Sequence, residues 1–431
     1  MTNACMSGVD TGSLASVRSV VVERPKLALV GALGGLVVLD LLFRLAGFRL
    51  FVGPVGLLGG ELAFERLLTL LWDGIVVGLG IGLAGIGLSM TYSILRFANF
   101  AHGDYITSGA FAGWAVAWLI AGFNTGNLSD NVGYLALVGG APEGPSSSDL
   151  GINVLGTPLA ILAGLVVAGV ATVALALVLD RVVYRPMRDA EGISLLIASI
   201  GVALALRYLI NFVFGASNRG LTAGGERLIL GGVNGKIALV NKRSTLIVAQ
   251  NDGPPADAFY VELPVVDLGA YSAEIISVTS VEVTLVVTSL LLMYGLHLLL
   301  QRTKLGTAMR ATADNQDLAR VTGIPTERVV RATWVVGGGL AGASGFLLAL
   351  ERGTLSFNLG WVLLLLIFAA VILGGIGSVY GAIVGGVLIG LTSSVSLVWI
   401  PSSLSTAAAF AIMIFVLLLK PDGLFGGVRT A

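Results

Sequence analysis

Apolar runs, most of them about twenty residues and long enough to carry a helix across a hydrocarbon core, alternate with short polar breaks over most of this chain. They cover 26–43, 72–95, 156–179, 193–215, 281–300, 332–350, 361–373, 379–397 and 406–419, with one more from the polar break at 96–104 to Gly122. The pattern predicts an all-α polytopic membrane protein of about ten transmembrane helices, two of them broken, at 96–104 and at Gly374-Gly-Ile-Gly-Ser378. Asp40 and Arg44 stand at helical spacing near the end of the first run, where they can pair. Residues 48–66 read as a Gly/Pro-bearing connector.

Between 216 and 280 the helical pattern stops. Pro254, Pro255 and β-type runs at 244–249, 258–266 and 274–278 predict a small, partly β insert. The domain order is then a tail over 1–25, a first half of the bundle over 26–215, the insert, and a second half over 281–426 that contains a polar loop at 302–331. Gly80-Ile-Gly82-Leu-Ala-Gly85 matches a dinucleotide fingerprint in form, but that motif needs a preceding strand within a βαβ unit. Inside an unbroken apolar helix, close packing through Gly78 and Gly82 is the better reading.

Composition agrees with the pattern. The chain is 56% hydrophobic and 12% charged, with a mean hydropathy of +0.94, whereas about a quarter of a soluble domain is charged. A formal net charge of zero gives no reason to expect a nucleic-acid partner. The one cysteine, Cys5, excludes an intrachain disulfide and a cysteine metal cluster.

Charge also orients the spans. The loop 302–331 carries Arg302, Lys304, Arg310, Arg320, Arg328 and Arg331 against Asp314, Asp317 and Glu327, and basic loops stay cytoplasmic. Counting from there, 181–192, 96–104, both termini and the second break fall inside. The base-free loop 123–155 and the insert 216–280 fall outside.

Candidate chemistry is sparse: there is no P-loop, HExxH or nucleophile elbow, and no cofactor or metal site is expected. Of the two histidines, His297 lies in an apolar span beside Tyr294 and reads as structural. The other belongs to the first break, where Asn99, His102 and Gly103 either line a substrate pathway or form a capped cytoplasmic turn. Gly374, Gly375 and Gly377 form a second interruption at the same inside level, so the two breaks can face each other. The loop 302–331 is roughly thirty residues long, where a simple connection needs a handful. It holds short amphipathic turns around Arg310, Asp314 and Leu318, with Gly323 suited to end a helix and Pro325 to open the next. It is either a docking element or a solvated tether. Intramembrane acids are too few for a proton- or sodium-coupled carrier, which leaves the energy source outside this chain.

Asn99-Phe-Ala-His-Gly103, Tyr184-Arg-Pro-Met-Arg188 followed by Leu195-Leu-Ile-Ala-Ser-Ile-Gly201, Arg302-Thr-Lys-Leu-Gly-Thr-Ala-Met-Arg-Ala311, Gly374-Gly-Ile-Gly-Ser378 and Lys420-Pro-Asp-Gly-Leu-Phe-Gly426 occur in that order. Together, over 72–426, they resemble the permeases of branched-chain amino-acid ABC importers, the H-type subunit of a pair. The resemblance implies a cell-membrane, multi-pass, prokaryotic permease that is not itself an enzyme. It also implies partners: a second homologous permease subunit, two ABC ATPase subunits that hydrolyse ATP, and an extracytoplasmic substrate-binding protein. Loop 302–331 then matches the segment that couples to the ATPase, with Ala311, Ala313 and Gly323 on the degenerate signature of such permeases. The implied cargo is a branched-chain amino acid, with urea or a short amide as the alternative, and a stand-alone channel or secondary carrier as the alternative from another class. The N-terminal span with its tail and the 216–280 insert depart from the family pattern.

Overall fold

The computed structural model of the chain describes residues 25–52, 55–125, 150, 152–188, 190–222, 227–233, 236–242, 259–260 and 274–426. Two compact units separate within it, Met1–Leu67 and Leu68–Ala431.

In the first unit, helix α1 (Pro25–Leu45) is followed by an antiparallel hairpin, β1 (Arg49–Val52) and β2 (Val55–Gly59). The sequence reading took this stretch as irregular. It pairs because Arg49-Leu-Phe-Val and Val55-Gly-Leu-Leu are β-prone runs on either side of the turn-forming Gly53-Pro54. Asp40 accepts from Arg44 Nε at 2.6 Å and from the Gly59 amide at 2.6 Å. The expected helical pair therefore also clamps the hairpin to α1, through charge-assisted bonds.

The remaining helices are α2 (Phe64–Leu95), α3 (His102–Thr125), α4 (Pro158–Leu179), α5 (Gly192–Phe214), α6 (Ser280–Arg302), the short α7 (Lys304–Asp314) and α8 (Gln316–Val321), α9 (Thr326–Arg352), α10 (Leu359–Gly374), α11 (Val379–Val395) and α12 (Ser405–Leu419). Among the described residues eight helices are long and apolar enough to cross a membrane, and α10 is a shorter apolar one. The chain is an all-α polytopic membrane protein.

Helices α3, α4 and α9 pack together as the core of the second unit. The apolar window of α9 is 83% buried and that of α12 only 6%, so α9 is central and α12 peripheral. Helix α10 joins α3 to the α11–α12 pair. Helices α2 and α11 touch backbone to backbone: a Cβ on Gly78 would lie 2.7 Å from Val387 Cα, and one on Gly386 2.5 Å from Gly82 Cα. The glycines at 78 and 82 are packing positions within continuous helix, and the βαβ context that a nucleotide site requires is absent there.

The insert holds a four-stranded antiparallel sheet in the order β6 (Phe259–Tyr260), β5 (Lys236–Lys242), β4 (Arg227–Val233), β7 (Glu274–Thr279). Strand β7 covers the expected run at 274–278. Strands β4 and β5 were not expected, although Asn234-Gly235 between them is a strong hairpin signal. The expected run at 244–249 lies outside the described residues, as do the tail 1–24 and most of the loop 123–155.

Contacts gather the loops by side. Arg96 reaches Ala313, Arg188 reaches Glu327, and the Leu424 and Phe425 amides donate to the Leu373 and Gly374 carbonyls. Those are loops that the charge pattern puts inside. At the other end, β3 (Arg219–Gly220) pairs with β8 (Thr354–Leu355), and Trp72 Nε1 donates to Glu282 at 2.7 Å. Burial lowers the pKa of Arg219 at that end, and its guanidinium donates to the Phe214 carbonyl at 2.7 Å. A Ser217→Cys substitution in a Cys5→Ser background tests which end is outside. An impermeant thiol reagent added to intact cells is expected to label it; labelling only after lysis would invert the assignment.

Candidate functional site

Helix α2 stops at Leu95, and Arg96 takes a left-handed φ of 59°, uncommon for a residue with a side chain. The chain then turns back along the bundle. His102 Nε2 donates to the Ala84 carbonyl at 2.9 Å, so the ring carries its proton on Nε2, and the Phe100 amide donates to Ser199 Oγ at 3.1 Å. Ala84 precedes the end of α2 by about 16 Å of helix, and Ser199 follows the start of α5 by about 10 Å. The break therefore lies within the helix bundle rather than as a turn at its end, and His102 bonds a neighbouring helix instead of capping its own.

Asn99 is fully buried. Its Oδ1 accepts from the Ala101 amide at 3.1 Å and the Tyr184 hydroxyl at 3.3 Å. Its Nδ2 and the hydroxyl of Tyr105 are buried with no well-formed hydrogen bond among the described residues, although the Tyr105 hydroxyl lies close enough to Tyr184 and Asn99 to interact with both. Leaving such an atom unpaired costs about 1–3 kcal/mol.

Tyr184 connects this pair to a polar chain. Its ring stacks on Trp334 at 5.1 Å, and Trp334 Nε1 donates to Asp180 at 2.8 Å. Arg188 Nη2 lies 2.9 Å from both Asp180 oxygens, while Nη1 donates to Glu327. A π-helical turn over Asp180–Tyr184 and a 3-10 turn over Arg185–Met187 aim these side chains inward. Burial works against the Arg188 charge, but the Glu327 and Asp180 carboxylates more than offset it and hold its pKa above the ordinary value.

A second buried pair stands next to the break. Arg207 Nε and Nη2 donate to Asp104 at 3.2 and 3.0 Å, and the guanidinium lies 4.4 Å from the Trp361 ring centroid. Arg207, in the apolar helix α5, is therefore interior. Asp104 and Asp180 are both buried inside the bundle, so acids within it are more numerous than the sequence reading allowed. Gly103 permits this packing: a Cβ there would lie 2.7 Å from the Gly360 carbonyl oxygen.

Gly375 and Gly377, at φ 104° and 88°, form the second interruption. Ser93 Oγ donates to the Gly377 carbonyl at 3.1 Å and Ser89 Oγ to that of Ser378 at 3.2 Å. A Cβ on Gly374 would lie 1.9 Å from the Gly381 carbonyl oxygen. The two interruptions thus hold successive turns of α2, near Ala84 and near Ser89–Ser93. They share a scaffold, and no hydrogen bond joins them among the described residues.

Within 302–331, α7 and α8 are split at Asn315, whose side chain caps α8 by accepting from the Leu318 amide at 3.0 Å. Gly323 has φ +85°, and the Ile324 amide closes on the Ala319 carbonyl at 2.9 Å. Ala313 is buried and Ala311 half-buried, whereas Asp314 and Gly323 are exposed. Leu318 and Val321 are 59% and 85% exposed, an apolar surface unusual on a polar loop. Arg310 donates to Gln301 at 3.3 Å, and Arg96 donates to the Ala313 carbonyl at the end of α7 at 2.9 Å.

Sequence reasoning missed Tyr105, Asp180 and Trp334, and took Asp104 only as part of the polar break at 96–104. Asp104 and Arg207 were findable as opposite charges within apolar stretches. The Asp180–Trp334 contact joins residues far apart in the chain and left no local signal. His297, read as structural, bonds the Tyr380 hydroxyl at 2.7 Å.

The family model described as "Branched-chain amino acid transport system / permease component" matches residues 70–419. The LivH permease protein of the high-affinity branched-chain amino acid transport system of Escherichia coli K12 is 26% identical over 365 residues, 84% of this chain and 96% of that one. The corresponding BraD of Pseudomonas aeruginosa is 24% identical over 354 residues, 82% of this chain and 94% of its own. A probable LivH of Methanocaldococcus jannaschii is 36% identical over a shorter 144 residues, 32% of this chain and 45% of that one. No solved structure gives a significant match.

Proposed function

The chain belongs to the family of permease components of branched-chain amino acid transport systems, and on that premise we propose that it is the membrane subunit of an ATP-driven importer of branched-chain amino acids. A second permease subunit, two ATPase subunits and an extracytoplasmic binding protein complete the assembly. ATP is hydrolysed by the ATPases, not by this chain.

The observation that carries this reading is a continuous set of contacts from the loop to the break. Glu327, Arg188, Asp180, Trp334 and Tyr184 lead from the start of α9 to Asn99. Arg96 makes a second link, from the end of α7 to the start of the break. In the proposed mechanism, α7 and α8 rest on an ATPase through Leu318 and Val321, with Arg310, Ala311, Ala313, Asp314 and Gly323 shaping that surface. Closure of the ATPases displaces the loop, and α6 and α9, which flank it, rock with it. Asn99, His102 and Gly103 line the pathway, and Gly374, Gly375 and Gly377 flex beside it. Asn99 Nδ2 and the Tyr105 hydroxyl offer donors to a passing carboxylate, while the aromatic wall of Tyr184, Trp334 and Phe97 suits an aliphatic side chain.

Reconstitution tests it. Proteoliposomes holding all partners and ATP are expected to accumulate leucine, and the purified chain alone to pass none. Leucine flux without partners would make the protein a channel or secondary carrier. Accumulation of urea in preference to leucine would replace the substrate.

A further inference from the structure

We infer that the groove between α4, α6 and α9 is a specific site for an anionic phospholipid of the inner leaflet, with one acyl chain in the groove and the headgroup phosphate between Arg328 and Arg331. The groove is a cavity of about 630 Å³ walled by aliphatic residues and three glycines, Gly169, Gly295 and Gly339. Most glycines elsewhere in the bundle abut neighbouring atoms, whereas these three, like Gly201 on α5, leave space. A Cβ on Gly295 would meet nothing within 4 Å, one on Gly339 only Val173 at 3.4 Å, and one on Gly169 only the Gly339 carbonyl oxygen at 3.6 Å.

The groove has a cationic mouth. A second cavity, of about 440 Å³, is lined by Leu177, Arg328, Arg331, Ala332 and Val335, and Val335 lines the groove as well. Both arginines are exposed, and neither is in an ion pair among the described residues. The nearby carboxylate of Glu327 is taken by Arg188.

The dimensions fit one lipid tail. From Ala332 in the mouth to Ala343 in the groove, the two cavities together follow α9 for about 16 Å, close to half of a hydrocarbon core of about 30 Å. A tail of that reach brings its phosphate to the turn of α9 that bears the two arginines. Basic pockets between helices at the cytoplasmic face select anionic headgroups by the same charge complementarity. Placement in the inner leaflet rests on the sidedness proposed above; binding itself rests on neither sidedness nor transport.

Native mass spectrometry of the full-length chain, stripped of lipid in detergent, separates these questions. Dioleoyl phosphatidylglycerol is expected to be retained by the chain at concentrations where dioleoyl phosphatidylcholine, with the same tails, is not. Arg328→Gln and Arg331→Gln are each expected to weaken that retention by about fivefold, and together to level the two lipids. Gly295→Leu, which adds a side chain to the groove at a position where a Cβ meets nothing within 4 Å, is expected to abolish retention while far-UV dichroism is unchanged. Equal retention of the two lipids by the parent chain, or an unchanged preference in the double arginine variant, would overturn the headgroup assignment. Lipid retention unaffected by Gly295→Leu would overturn the groove as its seat, and a lipid-free dimer would make a second copy the occupant instead.

Discussion

Arg207→Met is expected to reach the membrane at a small fraction of parental levels and to melt well below the parent in detergent. Asp104 is fully buried and Arg207 nearly so, and two hydrogen bonds join them. Removing one member of such a pair leaves a charge that neither water nor a partner can solvate, at a cost of about 3–5 kcal/mol. That is a large share of a stability of about 5–15 kcal/mol. The loss is specific to imbalance, so Arg207→Met combined with Asp104→Asn is expected to recover most of the folded protein. The pair fixes α3 to α5 one residue beyond Gly103, so the recovered double variant is still expected to transport poorly. Thermal melts by fluorescence-detected size-exclusion chromatography, with leucine uptake alongside, read both outcomes. A single variant as stable as the parent would remove the pair from its proposed place holding the start of α3.

Periodicity was enough to find the helices, because a span must satisfy its backbone internally and so declares itself by length and apolarity. It also located both breaks, since polar atoms and glycines interrupt otherwise unbroken runs. It could not tell a turn at the membrane surface from a segment inside the bundle. That distinction depends on where 98–102 makes its bonds, at Ala84 and Ser199, which sequence spacing does not encode. The α7–α8 loop was legible for a different reason: Gly323 and Pro325 are local end and start signals with their own backbone chemistry, whereas the Asn315 cap that splits the two helices was not read. The hairpin at 49–59 and strands β4 and β5 were lost because short apolar runs look alike as strand or helix until pairing decides. The polar chain through Asp180 and Trp334 is tertiary throughout, and only its members at 184 and 188 lay in a recognisable motif.

Arg188→Leu combined with Asp180→Asn is expected to lower leucine uptake about ten- to a hundredfold, while the ATPase subunits still co-purify and still hydrolyse ATP. Arg188 is the joint of the chain, with one nitrogen on Glu327 at the end of the loop and the other on both Asp180 oxygens. Its charge-assisted bonds are each worth about 1.5–3 kcal/mol. One such loss suppresses a coupled conformational step by about ten- to a hundredfold. The second substitution keeps the variant interpretable. Asparagine at 180 still offers an oxygen to Trp334 Nε1, so no buried carboxylate is stranded and the stack of Trp334 on Tyr184 persists. The docking face on α8 is untouched, which is why assembly is expected to survive. Arg188→Lys is expected to fall between, since an ammonium cannot span two carboxylates with the fork geometry of a guanidinium. Asn99→Ala, at the far end of the same chain, should change apparent affinity or substrate preference rather than coupling. Full uptake by the Arg188→Leu, Asp180→Asn variant would remove the polar chain from the mechanism. Loss of the ATPase subunits from that variant would assign Arg188 to assembly instead.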